Sequence, residues 1–340
     1  MTKILVTGGL GYIGSHTVVE LVNAGYEPVI VDDLSNSQLQ ILNQLEKIIG
    51  FKPAFYQFDL CDEQKLRDFA ASEPGIAGVI HFAASKAVGE SVVKPLKYYR
   101  NNIYSLVNLL NVYSGKPVGI VFSSSCTVYG QPDELPVTET APVKPAQSPY
   151  GNTKQIAEEI LIDAITSGDA KKVIALRYFN PVGAHSTALI GELPIGVPQN
   201  LVPFITQTAI GKRQKITVFG DDYNTKDGSC VRDYIHVVDL AKAHVAALKL
   251  MEKPDFSGFD VFNLGTGIGN TVLEIITAFE RATGVKLNYE IGPRRGGDVE
   301  QVWGDVTKSA NELHWKAELD IDTMMSSAWK WEKYLSQNTL

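Results

Sequence analysis

The sequence predicts an α/β protein with a doubly wound parallel sheet and a smaller mixed α/β region toward the C-terminus. Three observations support this prediction. Short apolar runs alternate with longer amphipathic stretches over the first half of the chain, as in buried parallel strands joined by helices. A glycine-rich turn, TGGLGYIGSH, follows the first apolar run. After residue 180 the alternation weakens, and stretches rich in Gly and Pro, such as GELPIGVPQN, appear.

The first half of the chain contains a series of candidate strands and helices. The strand candidates are residues 3–7, 28–32, 54–59, 78–82, 118–123 and 173–177. The helix candidates are residues 12–25, 63–72, 98–114 and 151–167. Crossovers between parallel strands are right-handed, so helices are expected on both faces of the sheet.

A later segment is predicted to return to the first domain. Asp239 is expected to cap a helix with the sequence DLAKAHVAALKLME, and residues 261–265 (VFNLG) indicate another buried strand. We therefore predict a first domain of residues 1–180, completed by a segment at about 235–265, and a second domain of residues 181–340.

Composition excludes several classes of protein. With 340 residues, 44% hydrophobic and 20% charged, the chain has material for a full core, and a net charge of -7 argues against a nucleic-acid surface. Cys61, Cys126 and Cys230 are widely spaced and odd in number, which fits neither a disulfide framework nor a zinc site and indicates a reducing compartment. No apolar leader precedes the first strand and no run has membrane-spanning length. We expect a cytoplasmic protein without nucleic-acid or membrane partners.

The stretch TGGLGYIGSH is a variant of the dinucleotide-binding fingerprint. Gly8 would permit the tight turn, Gly11 the close approach of a pyrophosphate, and Gly14 close packing of helix on sheet. Asp32 ends the second candidate strand, where an acid meets the adenosine ribose, and no arginine lies nearby to accept a 2′-phosphate. The pattern therefore favours NAD over NADP. Asp59, closing the third strand candidate, suits either the adenine edge or a helix cap, and both alternatives stay open.

A tyrosine and a lysine lie one helical turn apart in SPYGNTK. Tyr150 and Lys154 would share a helix face, and the upstream strand VFSSSCTVYG brings serines to the sheet edge that lines the ligand crevice. A phenol working as a base near neutral pH needs roughly 4 kcal/mol of phenolate stabilisation. One ammonium at ~5 Å supplies about 3 kcal/mol, and an oxidised nicotinamide ring would be a second cation. The pattern indicates a tyrosine base, whereas an isolated pair of this kind would favour simple packing.

These segments together carry a family resemblance. TGGLGYIG, FSSSCTVYG and SPYGNTK resemble the extended short-chain dehydrogenase/reductase superfamily. Within it, HFAASKAVGESVVKP, LRYFNPVGAH, FGDDYNTKDGSCVRDYIHVVDLA and PRRGGDVE are similar to segments of the UDP-galactose 4-epimerase family, so the resemblance covers nearly the whole chain. It implies an NAD-binding Rossmann domain over residues 1–180 and a UDP-sugar domain over residues 181–340.

The resemblance also implies a mechanism without net redox change. Tyr150 would take the proton from the sugar 4-hydroxyl while hydride passes from C4 to the nicotinamide. The 4-keto sugar would turn over in the pocket, and hydride would return to its other face. Ser125 would relay the proton with support from Thr127, and Lys154 would bind the nicotinamide ribose and lower the pKa of the tyrosine.

Two sets of contacts are implied by the same resemblance, and no metal is expected. The cofactor contacts would be Gly8, Gly11, Tyr12, Ile13, Gly14, Asp32, Asp59, Leu60, Phe82, Ala83, Lys86, Asn101, Ser123, Tyr150, Lys154 and Phe179. The UDP-sugar contacts would be Ser125, Thr127, Asn180, Asn200, Leu201, Phe219, Arg232, Arg295, Asp298 and Val302. The two arginines suit a pyrophosphate bound by an acidic protein, although surface solubility is the alternative for isolated arginines.

The resemblance raises two further expectations. Val302 falls where the family carries a residue whose bulk gates the pocket beside the sugar 2-substituent, and smaller residues there admit N-acetylhexosamines. Activity on UDP-GlcNAc and UDP-GalNAc is therefore a hypothesis. Relatives commonly form homodimers through a helix pair, for which residues 98–114 and 151–167 are the candidates.

Other functions on the same fold are disfavoured by particular residues. A nucleotide-sugar 4,6-dehydratase needs an Asp-Glu pair after the serine strand, where this chain has Cys126 and Thr127. A redox-sensing module without catalysis would be expected to lack the tyrosine or the lysine. Decarboxylases and net reductases are opposed only by the long C-terminal resemblance.

Overall fold

The structure is a computed structural model that describes residues 1–295 and 299–338. The predicted sugar contact Asp298 therefore lies outside the described residues. Within those two ranges, no helix combines the length and the apolarity that crossing a membrane requires.

The predicted doubly wound sheet is confirmed. Its strands are β1 (Lys3–Thr7), β2 (Glu27–Asp32), β3 (Ala54–Gln57), β4 (Ile76–His81), β5 (Gly119–Ser125), β6 (Lys172–Tyr178) and β10 (Gly258–Leu264). All the strand pairs are parallel, in the order β3-β2-β1-β4-β5-β6-β10. Strand order reverses between β1 and β4, and in open α/β sheets the ligand crevice forms at such a switch point.

Helices cover both faces of this sheet. The helices of this part are α1 (Tyr12–Asn23), α2 (Gln40–Ile49), α3 (Glu63–Ser72), α4 (Val88–Val93), α5 (Pro95–Tyr113), α6 (Pro149–Ser167) and α8 (Val237–Glu252). One face of the sheet carries α1 and α8, which pack on each other, and the other face carries α3, α5 and α6. Leu5, Val79 and Val121 on the central strands are fully buried, which explains their continuous apolar runs.

The remaining elements form a smaller mixed α/β region. The strands of this region are β7 (Asn180–Val182), β8 (Ile216–Phe219), β9 (Val231–His236), β11 (Gly269–Thr271), β12 (Tyr289–Gly292) and β13 (Gln301–Val302). Strand β9 pairs with β7, β11 and β13, and β8 pairs with β12. The helices of this region are α7 (Leu201–Ala209), α9 (Val272–Thr283) and α11 (Ile321–Gln337), whereas α10 (Thr307–Glu312) packs on β10 of the large sheet. A separate core that includes Ile276, Phe279 and Met325 lies among them.

The prediction that Asp239 caps a helix is wrong. Helix α8 begins at Val237, and its N-cap is His236, whose Nδ1 accepts a hydrogen bond from Val238 N–H at 3.1 Å. Asp239 lies in the first turn, where its carboxylate accepts hydrogen bonds from the backbone N–H groups of Glu318 and Leu319. A buried imidazole nitrogen here replaces the usual Ser, Thr, Asp or Asn side chain.

Candidate active site

The glycine turn forms a tight cradle between β1 and α1. Gly8 has a φ of +68°, in the left-handed region, and a side-chain carbon there would lie 3.0 Å from Ala83 N. A Cβ on Gly14 would lie 2.3 Å from Gly8 O, so the first turn of α1 packs directly on the loop. Helix α1 has no side-chain cap at Gly11, which leaves its first N–H groups for an anionic ligand. This cradle fits a pyrophosphate.

Asp32 fixes the other wall of the cradle. Its side chain is 7% exposed and accepts hydrogen bonds from Leu10 N and Leu34 N, both at 3.0 Å, and from Ser37 Oγ at 2.7 Å. Burial raises the pKa of this carboxyl, while the hydrogen bonds act in the opposite direction. The acid stands at the carboxyl end of β2, which suits a ribose hydroxyl.

The helix-cap alternative for Asp59 is wrong. The cap of α3 is Asp62, whose carboxylate accepts from Lys65 N at 3.1 Å. The exposed Asp59 side chain instead accepts from Cys61 N at 2.8 Å, at the end of the crevice beside the buried Leu60. Asn101, on α5, donates to Ser85 Oγ at 3.3 Å.

The segment after β4 runs against the glycine turn and carries three predicted cofactor contacts. Ala83 N donates to Thr7 Oγ1 at 3.3 Å, and the Phe82 ring packs 4.6 Å from that of His244. Lys86 Nζ lies 3.4 Å from Glu192 Oε1 and 6.0 Å from the centre of the Tyr12 ring.

The first turn of α1 is tied to the smaller region. Tyr12 OH donates to Gly183 O at 2.6 Å, just after β7. The neighbouring Ile13 packs against the apolar core on the α1 and α8 face of the sheet. The cradle and the smaller region are therefore in direct contact.

Tyr150 and Lys154 lie together on α6, beside the end of β5. Ser148 caps this helix by accepting from Gly151 N at 3.2 Å, and proline occupies the first position, so the tyrosine falls in the first turn. Lys154 is 3% exposed, and its Nζ donates to Ser123 O at 2.6 Å and lies 5.9 Å from the Tyr150 ring centre. Burial lowers the pKa of Lys154 to about 7, and the charge of Glu158 acts to raise it.

Burial and the Ser125 side chain act in opposite directions on the Tyr150 phenol. Burial raises the pKa of Tyr150 to about 12, while a hydrogen bond with the Ser125 side chain acts to lower it. In the protein alone the shift is thus the reverse of the predicted lowering, because desolvation dominates and the ammonium of Lys154 is directed at the Ser123 carbonyl. Ser125 is 7% exposed.

The residues after Ser125 form a short 3-10 turn, Cys126–Tyr129, that packs against α6. Thr127 has a buried hydroxyl oxygen that makes no hydrogen bond within residues 1–295 and 299–338, as suits a ligand contact. Burial raises the pKa of the Cys126 thiol to about 12, so this group is neutral. Neither residue offers the carboxyl that a dehydratase would need at this position.

A buried apolar cluster lies between the end of β5 and the smaller region. Phe179 and Val302 are 5% and 6% exposed and share a cluster with Val128, Tyr129 and Val137. Val302 on β13 pairs in register with Arg232 on β9. The predicted gate and one predicted phosphate ligand are therefore neighbours on adjacent strands.

The other predicted sugar contacts lie on the smaller region. Asn180 opens β7, and Asn200 stands before α7, which Leu201 begins. Phe219 ends β8, is 41% exposed, and lies 5.4 Å from the Arg295 guanidinium carbon. Arg232 Nη1 donates to Val231 O at 2.8 Å, which orients the guanidinium.

Sequence reasoning missed two carboxylates beside the site. Glu192 Oε1 accepts from Asn200 Nδ2 at 2.6 Å and from Lys86 Nζ, joining a predicted sugar contact to a predicted cofactor contact. Glu158 lies four residues after Lys154 on the same face of α6. The spacing of Tyr150, Lys154 and Glu158 was visible in the sequence as a signal.

Known proteins share much of this sequence. The family model described as GDP-mannose 4,6 dehydratase matches residues 5–328. The UDP-glucose 4-epimerase of Yersinia pestis is 47% identical over 97% of this chain and 97% of its own length, and that of Bacillus subtilis is 49% identical over 97% and 96%.

Solved structures agree in fold over the whole chain. The UDP-glucose 4-epimerase from Stenotrophomonas maltophila, with bound NAD and formylated UDP-arabinopyranose, has a TM-score of 0.95 at 46% identity, covering 99% of both chains. That from Bifidobacterium longum, in complex with NAD+ and UDP, has a TM-score of 0.93 at 48% identity, covering 98% of both. The chain therefore belongs to the UDP-glucose 4-epimerase family, within the wider family that the dehydratase model describes.

Proposed function

We propose that this protein is an NAD-dependent epimerase that interconverts UDP-glucose and UDP-galactose through a 4-keto sugar. The observation that carries the proposal is the meeting of Tyr150, Lys154 and Ser125 at the carboxyl end of β5, beside a cradle shaped for a dinucleotide. Family membership supports the same activity, since relatives at nearly half identity carry that name.

The residues of this chain would bind, orient and move a proton. NAD, when bound, supplies the hydride acceptor and donor. Tyr150 Oη takes the proton of the sugar 4-hydroxyl, and Ser125 Oγ, whose side chain acts to lower the pKa of the phenol, relays it. Lys154 Nζ, held by the Ser123 carbonyl, keeps two further donor hydrogens with which it would bind the nicotinamide ribose. Because burial raises the pKa of Tyr150, the phenol releases its proton only when positive charge is close to it.

Binding of the nucleotide is assigned to the arginines and the aromatic ring of the smaller region. Arg232 and Arg295 provide forked donors for a pyrophosphate. Because the protein has a net charge of -7, binding this anion requires positive charge concentrated at the site. Phe219 presents an exposed ring beside Arg295, and such a ring offers a stacking surface for uracil.

Activity on UDP-N-acetylhexosamines is proposed on the size of Val302. Valine is smaller than the large aromatic with which family members are restricted to glucose and galactose, and a smaller residue beside Phe179 would leave room for an acetamido group. Purified protein incubated with UDP-GlcNAc should form UDP-GalNAc. Chromatography that finds no such product would restrict the enzyme to glucose and galactose.

The main test is conversion of UDP-galactose to UDP-glucose by the purified protein without added cofactor. We expect product to form, and we expect Tyr150→Phe to lower kcat by about a thousandfold or more, since it removes the group that accepts the proton. Tyr289→Phe, at a half-exposed ring on β12, is the matched control and should keep full activity. Steady accumulation of NADH from added NAD+ would instead identify a dehydrogenase.

A homodimer is also proposed, with α5 and α6 as the contact. Both helices expose apolar side chains, among them Tyr104 (57%) and Ile162 (45%). Sedimentation equilibrium should give twice the mass of one chain, and Ile162→Lys should shift that mass toward the monomer.

A further inference from the structure

A buried ion pair lies behind the site. Glu158 on α6 and Arg177 on β6 are each 5% exposed. Arg177 Nε donates to Glu158 Oε1 at 3.0 Å, and its Nη2 donates to Oε2 at 2.5 Å, so the pair is two-pronged. Replacing a buried ion pair by apolar residues is often neutral or stabilising, so fold stability alone is a weak reason for this one.

The pair stands where α6 meets the ends of two strands. Glu158 Oε1 also accepts a hydrogen bond from Ser124 Oγ. Ser124 lies between Ser123, whose carbonyl accepts from Lys154, and Ser125, and it pairs with Arg177 in the sheet register. One carboxylate thus joins the helix that carries Tyr150 and Lys154 to the strand that carries the serines.

The same carboxylate faces the lysine along the helix. Tyr150, Lys154 and Glu158 recur at intervals of four and share one face of α6. Burial lowers the pKa of Lys154 to about 7, and the negative charge of Glu158 opposes this shift. The groups around the two residues are Tyr150 on α6, His81 on β4, the Ser123 carbonyl on β5, Arg177 on β6, and Tyr129 after β5. Burial keeps His81 and Tyr150 uncharged near neutral pH.

We propose that Glu158 is a positioning residue for the tyrosine–lysine pair: its carboxylate anchors α6 to the ends of β5 and β6 and provides the negative charge that faces the Lys154 ammonium. The inference rests on the proposed function for its consequence in catalysis. Its physical content, the coupling of Glu158 to Lys154, stands apart from any activity.

The test measures the lysine directly. Protein with 13C-labelled lysine is titrated by NMR, and the Lys154 signal is identified by its loss in Lys154→Arg. In Glu158→Gln, which keeps the shape but removes the charge, the pKa of Lys154 should fall by roughly 1. The alkaline limb of the pH profile of kcat/KM for UDP-galactose should move to lower pH with it. The matched control is Glu159→Gln, the adjacent exposed carboxylate, which should change neither.

A second variant covers the case in which Glu158→Gln does not fold because Arg177 loses its charged partner. The double change Glu158→Met with Arg177→Met removes both charges, and we expect it to fold and to show a smaller fall in the pKa of Lys154, because the repulsion from Arg177 is lost together with the attraction of Glu158. A variant that melts earlier while the pKa of Lys154 and the pH profile stay unchanged would overturn the proposal. A shifted pKa in a protein that does not convert UDP-galactose would contradict the proposed function and leave the coupling established.

Discussion

The two regions that meet at the site hold their predicted residues in different ways. At the ends of β2, β5 and α6, Asp32, Ser125 and Lys154 are at most 7% exposed and bonded to buried groups. On the smaller region, Phe219 is 41% exposed and Arg295 is exposed as well. The first arrangement fixes geometry before any ligand arrives, which is what proton transfer needs. The second suits recognition of a nucleotide by contacts made on binding.

The largest effect is expected from Gly14→Ala, in the region whose geometry is fixed before a ligand binds. The added Cβ would lie 2.3 Å from Gly8 O, and backbone cannot yield as a flexible side chain does. We expect a loss of several kcal/mol in the free energy of unfolding and loss of NAD binding. Gly89→Ala on α4, whose Cβ would meet nothing closer than 3.8 Å, is the control and should stay near wild type by thermal denaturation.

In the same region, Lys154→Met is expected to change both the rate of catalysis and the pH dependence of stability, and the two effects are measured separately. We expect kcat to fall by about a hundredfold or more, because the ammonium proposed to bind the ribose is lost. Burial lowers the pKa of Lys154 in the folded protein to about 7, from the ordinary 10.5. Between about pH 7 and pH 10.5 the unfolded chain therefore binds more protons than the folded protein, so the contribution of Lys154 to the free energy of unfolding rises with pH in that range. The variant should therefore show a flatter rise of unfolding free energy with pH by urea denaturation.

The exposed Lys171 supplies the control for this titration. Lys171→Met should keep both the activity and the pH slope of the wild type. Equal slopes in Lys154→Met and the wild type would mean that burial does not depress the pKa of Lys154, and would contradict the prediction.

A smaller effect is expected from Arg232→Met on the recognition side. Loss of one of the two forked cations proposed to bind the pyrophosphate should raise KM for UDP-galactose by about ten- to a hundredfold with kcat little changed. Arg281→Met, at a surface ion pair with Asp322, is the control and should leave both constants alone. A large fall in kcat instead would show that the smaller region shapes the chemistry as well as binding, and would blur the contrast between the two regions.

The smallest effect is expected from Val302→Tyr. An aromatic side chain here, beside Phe179, should exclude acetamido sugars while glucose and galactose turn over within a few-fold of wild type. The measurement is the ratio of kcat/KM values for UDP-GalNAc and UDP-galactose. An unchanged ratio would mean that Val302 does not gate the pocket.

Much of the large sheet was predictable because its signals are local. Apolar runs marked the strands, and the glycine turn marked the start of α1, so the bounds of β1 and β6 lie within one residue of those predicted. Helix α2 was missed because its apolar pattern follows a polar stretch without a cap, and the structure indeed finds no side-chain cap there. The cap of α8 was misplaced because it depends on a histidine nitrogen, which sequence rules do not expect.

The site was predictable where residues are neighbours in the chain and less so elsewhere. Tyr150 and Lys154 could be placed together from helical spacing alone. The link from Tyr12 to Gly183 and that from Glu192 to Lys86 join residues over a hundred positions apart, and no local pattern announces them. The direction of the Tyr150 pKa also depends on desolvation, which a sequence does not display.

The position of β10 has a consequence for how the molecule is made. This strand completes the edge of the large sheet next to β6, yet residues 179–257 separate the two along the chain. A ribosome must therefore release β7, α7, β8 and β9 of the smaller region before the sheet gains its last strand. A truncated chain that stops near residue 180 would leave β6 as an exposed, largely apolar edge, prone to pair with other nascent chains.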